Sequence, residues 1–215
     1  MSLFAEAFQY MMEHLSELFH AVKIHLLLSF IALLIGVLIC IPLGVYLGKS
    51  KQGKRTMLIL NIVYMGRIIP SLAILALAMP YIGIGFTPSL VALTLLVCPP
   101  ILINTVTAFR ELDKSIIEAA YGMGMGKARV LHKVELPLAL PVIITGIRTS
   151  SVEVIASATL AAFIGAGGLG EFIINGIAMA QPSMLLVGAI PVAILAILAE
   201  VAFGRIEKWT TPPVM

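Results

Sequence analysis

Charged and aromatic side chains are scarce in this sequence of 215 residues: 12% are Asp, Glu, Lys or Arg and 7% are aromatic, against 60% apolar. That balance excludes an ordinary soluble domain and puts the chain in a bilayer. Cysteine is nearly absent. Cys40 and Cys98 both fall inside apolar runs, where a thiol behaves as a small buried hydrophobe, so neither a disulfide framework nor a thiolate metal site is expected. His14, His20, His25 and His132 lack metal-ligand spacing with acidic or cysteine residues, and no metal is expected. The first 22 residues contain Glu6, Glu13 and Glu17 but no Lys or Arg, whereas a secretory signal needs a basic start. No cleavable signal is expected.

What the first 22 residues do contain is Phe4, Phe8, Met11, Leu15, Leu18 and Val22 at steps of three or four. That spacing predicts an amphipathic helix over residues 1–22 lying on the membrane surface. Beyond it, a spanning helix needs roughly 20 mostly apolar residues. Ile24–Leu47, Thr56–Met79, Pro88–Phe109, Pro137–Ile164 and Met184–Phe203 each qualify, which predicts an all-α integral membrane protein with five spans. Arg67 and Pro70 interrupt the second, so six is the alternative count if it divides.

Lys49, Lys51, Lys54 and Arg55 follow the first span; Arg110, Lys114, Lys127, Arg129 and Lys133 lie between the third and fourth; Arg205 and Lys208 follow the fifth. The connections 80–87 and 165–183 contain neither Lys nor Arg. The positive-inside rule then puts the N-terminus outside and the C-terminus in the cytoplasm. The net charge of +3 follows from topology, and no nucleic-acid partner is needed.

Two glycine-rich stretches imitate nucleotide sites. Gly126-Lys127 suggests a phosphate loop, but Tyr121 stands where the first Gly belongs and Ala128 where the magnesium-holding hydroxyl belongs. Gly165-Ala166-Gly167-Gly168-Leu169-Gly170 satisfies G-x-G-x-x-G literally, yet it follows an apolar span, with no acidic residue about 20 positions on for a ribose. Gly165, Gly167, Gly168 and Gly170 are expected to serve a tight turn or close helix packing.

Glu118-Ala119-Ala120 favours helix, Gly122, Gly124 and Gly126 break it, and 128–134 resumes it before Leu136-Pro137 opens the next span. Two short helices with a bend are expected to project into the cytoplasm. Glu-Ala-Ala, three residues, Gly124, nine residues, Val134, one residue and Leu136-Pro137 resemble the EAA loop of ATP-binding cassette importer permeases, in which Ile is commoner at the position of Val134. The resemblance implies the type I importer permease fold. It also implies that Glu118, Ala119, Ala120, Gly124, Val134, Leu136 and Pro137 couple the spans to separate ATPase subunits.

A wider resemblance, over Ile24 to Trp209, rests on Ile69-Pro70-Ser71-Leu72-Ala73, Gly146-Ile147-Arg148-Thr149-Ser150, residues 158–170, Gln181-Pro182 and Gly188-Ala189-Ile190-Pro191. These are similar to permeases that import glycine betaine, carnitine or choline. The glycine-rich run also occurs in methionine-importer permeases, which remain an alternative. The implied assembly is two permease chains, the same or related, with two ATPase subunits and an extracytoplasmic solute-binding protein in a prokaryotic cytoplasmic membrane. The chain itself would bind no cofactor and hydrolyse nothing, ATP and Mg belonging to the partner. The implied division is a surface helix 1–22, a permease domain 23–209 with coupling segment 111–136, and a cytoplasmic tail 210–215.

Ionisable groups within spans cost roughly 2.5–3.5 kcal/mol on insertion scales, and they face protein or water. Arg67, with Pro70 and Ser71, is read as a broken-helix lining or gate, with a structural ion pair as the equal alternative; Glu153 is expected to meet another helix or the pathway. Arg148 is read as snorkelling near a helix end. Asn61, Asn104, Thr105 and Thr107 are expected to bond between helices, with polar lining of the pathway as the alternative. The rival class is a self-sufficient channel or carrier using Arg67 and Glu153 as an ion-coupled pair.

Overall fold

Inside a bilayer no water satisfies backbone N–H and C=O groups, so an apolar chain must pair them within helices. The computed structural model describes residues 3–50 and 54–211, and all its regular elements are helical. Lys51 and tail residues 212–215 lie outside the described residues.

The surface helix expected over 1–22 divides at His14. Helix α1 (Leu3–Glu13) runs along the last helix, while Leu15 to Val22 form the first turns of α2 (Leu15–Lys49), a helix of 35 residues. Ala7, Leu18 and Ala21 pack in one cluster with Leu169, Phe172 and Met184. The apolar face read from the sequence therefore has protein to cover part of it.

Three helices form the centre: α2, α5 (Phe86–Arg110) and α8 (Leu136–Ala158). Leu28, Ala32, Cys40, Val97, Ile101 and Val154 share the main core. Small residues allow the close approach. A Cβ at Gly36 would lie 2.5 Å from Val97 Cγ2, and one at Gly44 2.6 Å from Thr105 Cβ. Polar groups between these helices come from positions the sequence did not single out for bonding. Ser150 Oγ donates to the Val97 carbonyl at 2.9 Å, and the buried His25 Nε2 lies 3.0 Å from the Ile155 carbonyl. Asn104 and Thr105 instead donate back to Pro100 and Ile101, one turn earlier on their own helix. That corrects the interhelical expectation for these two: in hydrocarbon the preceding carbonyl is always within reach.

The second apolar segment is two helices, α3 (Lys54–Gly66) and α4 (Ser71–Ile82), bent by 100°. Pro70 removes a donor and disfavours helix at Ile69, which fixes the break. Their 13 and 12 residues make neither a full crossing, so the pair is either one broken span or a re-entrant loop. Among the described residues four unbroken helices are long and apolar enough to cross a membrane, and the count is five if the bent pair is one span.

Two short helices, α6 (Lys114–Gly122) and α7 (Lys127–Val130), follow α5, and α7 passes through a π turn, Leu131–Glu135, into α8. The fourth span thus begins earlier than expected and ends earlier too. Helix α8 stops at Ala158, and a 3-10 turn over Leu160–Ile164 carries the chain to α9 (Gly170–Ala178) and α10 (Pro182–Thr210).

Candidate functional site

The segment joining α5 to α8 is built from local signals. Asp113 caps α6, its carboxylate accepting from the Ser115 amide at 2.8 Å; hydrogen bonding to Ser115 holds that carboxyl below its usual range. At the other end, Gly124 accepts φ +82° while its amide donates to the Tyr121 carbonyl and the Met125 amide to that of Ala120. This paired closure is a Schellman motif, in which a residue with a Cβ would be strained. Gly124 is therefore the residue that turns the chain out of α6.

Glu118 and Ala119 are exposed, whereas Ala120 turns inward and is buried. Ile116, Ala119 and Met123, at steps of three and four, share the exposed face of α6 and its end. Val134 and Leu136 are half-buried, and the exposed Pro137 sits in the first turn of α8, where its missing donor is harmless. Glu135, between Val134 and Leu136, carries no sequence signal of its own. It lies buried in the π turn, ion-paired with Lys49 at the end of α2.

A second constellation lies at the α3–α4 elbow. Arg67 is exposed in the break, Pro70 precedes α4, and Ser71 begins it. Glu153, half-buried on α8, is within electrostatic reach of the Arg67 guanidinium. The elbow and α5 border an open apolar groove of about 480 Å³, lined by Gly66, Ile69, Tyr81, Leu95 and Cys98 among others.

Arg148 does not snorkel alone. Its guanidinium pairs with Glu200 and, at 2.9 Å, with Glu207, both on α10; Thr145 also donates to Glu207 at 2.9 Å. Glu200 and Glu207 are two turns apart on one face, a spacing that was readable but had no partner to suggest it. The glycine run lies elsewhere. Gly165, Gly167 and Gly168 have positive φ, and at Gly170 a Cβ would fall 2.0 Å from the Thr159 carbonyl oxygen. Among the described residues no group of His, Cys, Asp and Glu is arranged to hold a metal ion.

Residues 40–212 match the family model described as the binding-protein-dependent transport system inner membrane component. The chain belongs to that family. A relative in Bacillus subtilis (strain 168), the choline transport system permease protein OpuBB, is 44% identical over 95% of this chain and 93% of its own length. The carnitine transport permease protein OpuCB of Listeria monocytogenes is 44% identical, over 87% of this chain and 85% of that protein. Among solved structures, an inward-facing form of the MetNI methionine ABC transporter is similar at a TM-score of 0.84 and 25% identity, covering 93% of this chain and 99% of that one. This family member thus has the type I permease fold and is a multi-pass membrane protein.

Proposed function

We propose that the chain is a permease subunit of an ATP-binding cassette importer for a quaternary ammonium osmoprotectant such as choline, carnitine or glycine betaine. The observation that carries this reading is the set of relatives named for choline or carnitine transport that match nearly end to end at 44% identity. ATP and Mg would be bound and hydrolysed on separate ATPase subunits. Two permease chains, two ATPase subunits and an extracytoplasmic solute-binding protein would make up the working complex, in a prokaryotic cytoplasmic membrane with the N-terminus outside and the C-terminus inside.

In this reading the exposed face of α6, with Glu118 and Ala119 beside Ile116 and Met123, seats in the ATPase subunit. Gly124 sets the angle between that helix and α7, and Val134, Leu136 and Pro137 join the segment to α8. Closure of the ATPases then moves a rigid element that continues directly into a span. The elbow at Arg67, Pro70 and Ser71, facing Glu153, would line or gate the passage: non-helical backbone at membrane depth is tolerated where protein or water covers it. Tyr46, Tyr64 and Tyr81 are exposed by 71%, 49% and 89%, with no cage of rings among them to hold a cation. Selection of the solute would then belong to the binding protein. The close fold match to a methionine transporter supports methionine as the second reading.

The test is uptake of labelled choline, carnitine, glycine betaine and methionine into proteoliposomes holding the permease, its candidate ATPase and its binding protein, with ATP inside or absent. ATP-dependent choline, carnitine or betaine uptake is expected. Gly124→Val should reduce it at least about ten-fold, since a β-branched residue at positive φ misplaces the coupling helix. ATP-independent uptake by the chain alone would replace the importer with a self-sufficient carrier.

A further inference from the structure

Glu135 fills the position between Val134 and Leu136-Pro137 to which the coupling pattern assigns no role. Its side chain is 6% exposed and ion-pairs with Lys49, the last residue of α2. The carboxylate sits in the π turn between α7 and α8, and such single π turns inside helices are frequent at functional sites. From the same stretches of chain, Val45 of α2, Phe109 of α5, Leu131 and Leu136 of the segment and Ile143 of α8 pack in one cluster. At the same level Gly48 brings α2 against α5, where a Cβ would lie 2.7 Å from Phe109 Cβ.

An apolar cluster resists separation but lets surfaces slide, because its attraction has no direction. A charged pair with its carboxylate buried and its ammonium at the rim behaves otherwise: moving Glu135, 6% exposed, away from Lys49, 36% exposed, would leave a buried carboxylate uncompensated. Displacement of the π turn must therefore carry Lys49 with it. Helix α2 is in turn packed tightly on α5 through Gly36 and Gly44, so the motion enters the centre of the bundle.

We infer that Glu135 and Lys49 are positioning residues that form a charged tie between the coupling segment and α2, keeping solute passage in step with ATP hydrolysis. The inference rests on the coupling role proposed above. In that role the pair is a second output of the segment, beside its direct continuation into α8.

The experiment measures labelled choline taken up and phosphate released in the same proteoliposomes, using the complete complex. Lys49→Met and Glu135→Gln should each lower choline moved per ATP by about five-fold, within the range that coupling residues show. The double substitution should be no worse than either single one, and the exchange Lys49→Glu with Glu135→Lys should recover much of the loss. A ratio unchanged in the single variants, with less complex assembled, would reduce the pair to a fold constraint and overturn the tie. If Lys49→Met does not assemble, Glu135→Asp keeps the charge and shortens its reach. A ratio equal to wild type in that variant overturns the tie, and a lowered one supports it. Wild-type complex that takes up none of the tested solutes with ATP removes the coupling reading itself, and the tie with it.

Discussion

The α2–α5–α8 centre and the α3–α4 elbow have similar apolar content and opposite fates within the chain. In the centre, Leu28, Val97, Ile101 and Val154 are at most 1% exposed; on the elbow, Leu58, Ile62, Met65 and Ile68 are 60–79% exposed. In water such a difference would mark one region as core and the other as an error. In a bilayer apolar exposure is ordinary, so what separates the regions is the small residues that let backbones meet and the polar groups that need cover. The centre has glycines at which an added Cβ would lie only 2.5–2.6 Å from the facing side chain; the elbow has a charged residue and broken backbone without such closure. The first is finished within one chain. The second leaves its charge and its broken backbone uncovered by this chain.

The largest effect is expected where the centre is tightest. Gly44→Leu would drive a side chain into Thr105, which is itself fixed by its bond to Ile101, and should cost more than about 3 kcal/mol. The expected outcome is loss of folded protein on size-exclusion chromatography in detergent. Recovery of well-folded Gly44→Leu would mean that α2 and α5 can part, and the contrast with the elbow would weaken.

The elbow should answer in the opposite currency. Arg67→Ala is expected to lower ATP-driven uptake about ten-fold while the Tm of the isolated chain in detergent moves by less than about 2 °C. A Tm that falls together with uptake would make the Arg67–Glu153 attraction a structural tie, bringing the elbow closer to the centre in kind.

How far these regions were legible follows from what each signal encodes. Run lengths placed the five apolar segments, and Pro70 placed the break in the second, because hydropathy and proline geometry are local. The 100° bend, the end of α8 at Ala158 and the fusion of Leu15 to Val22 into α2 were not legible, since each depends on what a segment packs against. Spacing also drew attention to Glu118, Ala119, Ala120 and Gly124, and local bonding explains the Gly at 124. Glu135, Glu200 and Glu207 escaped notice: a carboxylate's partner 52 to 86 positions away leaves no periodic trace.

The Arg148 cluster between α8 and α10 gives an intermediate effect. Its side chains are 25–44% exposed, so loss of one partner should matter less than at Gly44. Glu200→Gln and Glu207→Gln are each expected to lower Tm by about 2–4 °C. Adding Arg148→Leu to the double variant should cost less than the separate losses suggest, because the carboxylates and the cation depend on one another. Strict additivity would show that Arg148 sits in water and that α10 is held by packing alone.

The smallest effect is a gain, at the end of α9. The amide of Gln181 donates to the Gly176 carbonyl and that of Ala180 to Ile177, the same paired closure that Gly124 completes after α6. Here, however, the left-handed position belongs to Ala180, at φ +51°, the one described residue other than glycine with positive φ. An L side chain there is strained, by about 1 kcal/mol or somewhat more. Ala180→Gly should relieve that strain while loosening the unfolded chain, and the balance predicts a rise in Tm of about 2 °C. No rise would mean that Ala180 is held by contacts outside the chain. The connection before α10 would then be finished by a partner, and would belong with the less covered parts of the chain instead of with the centre.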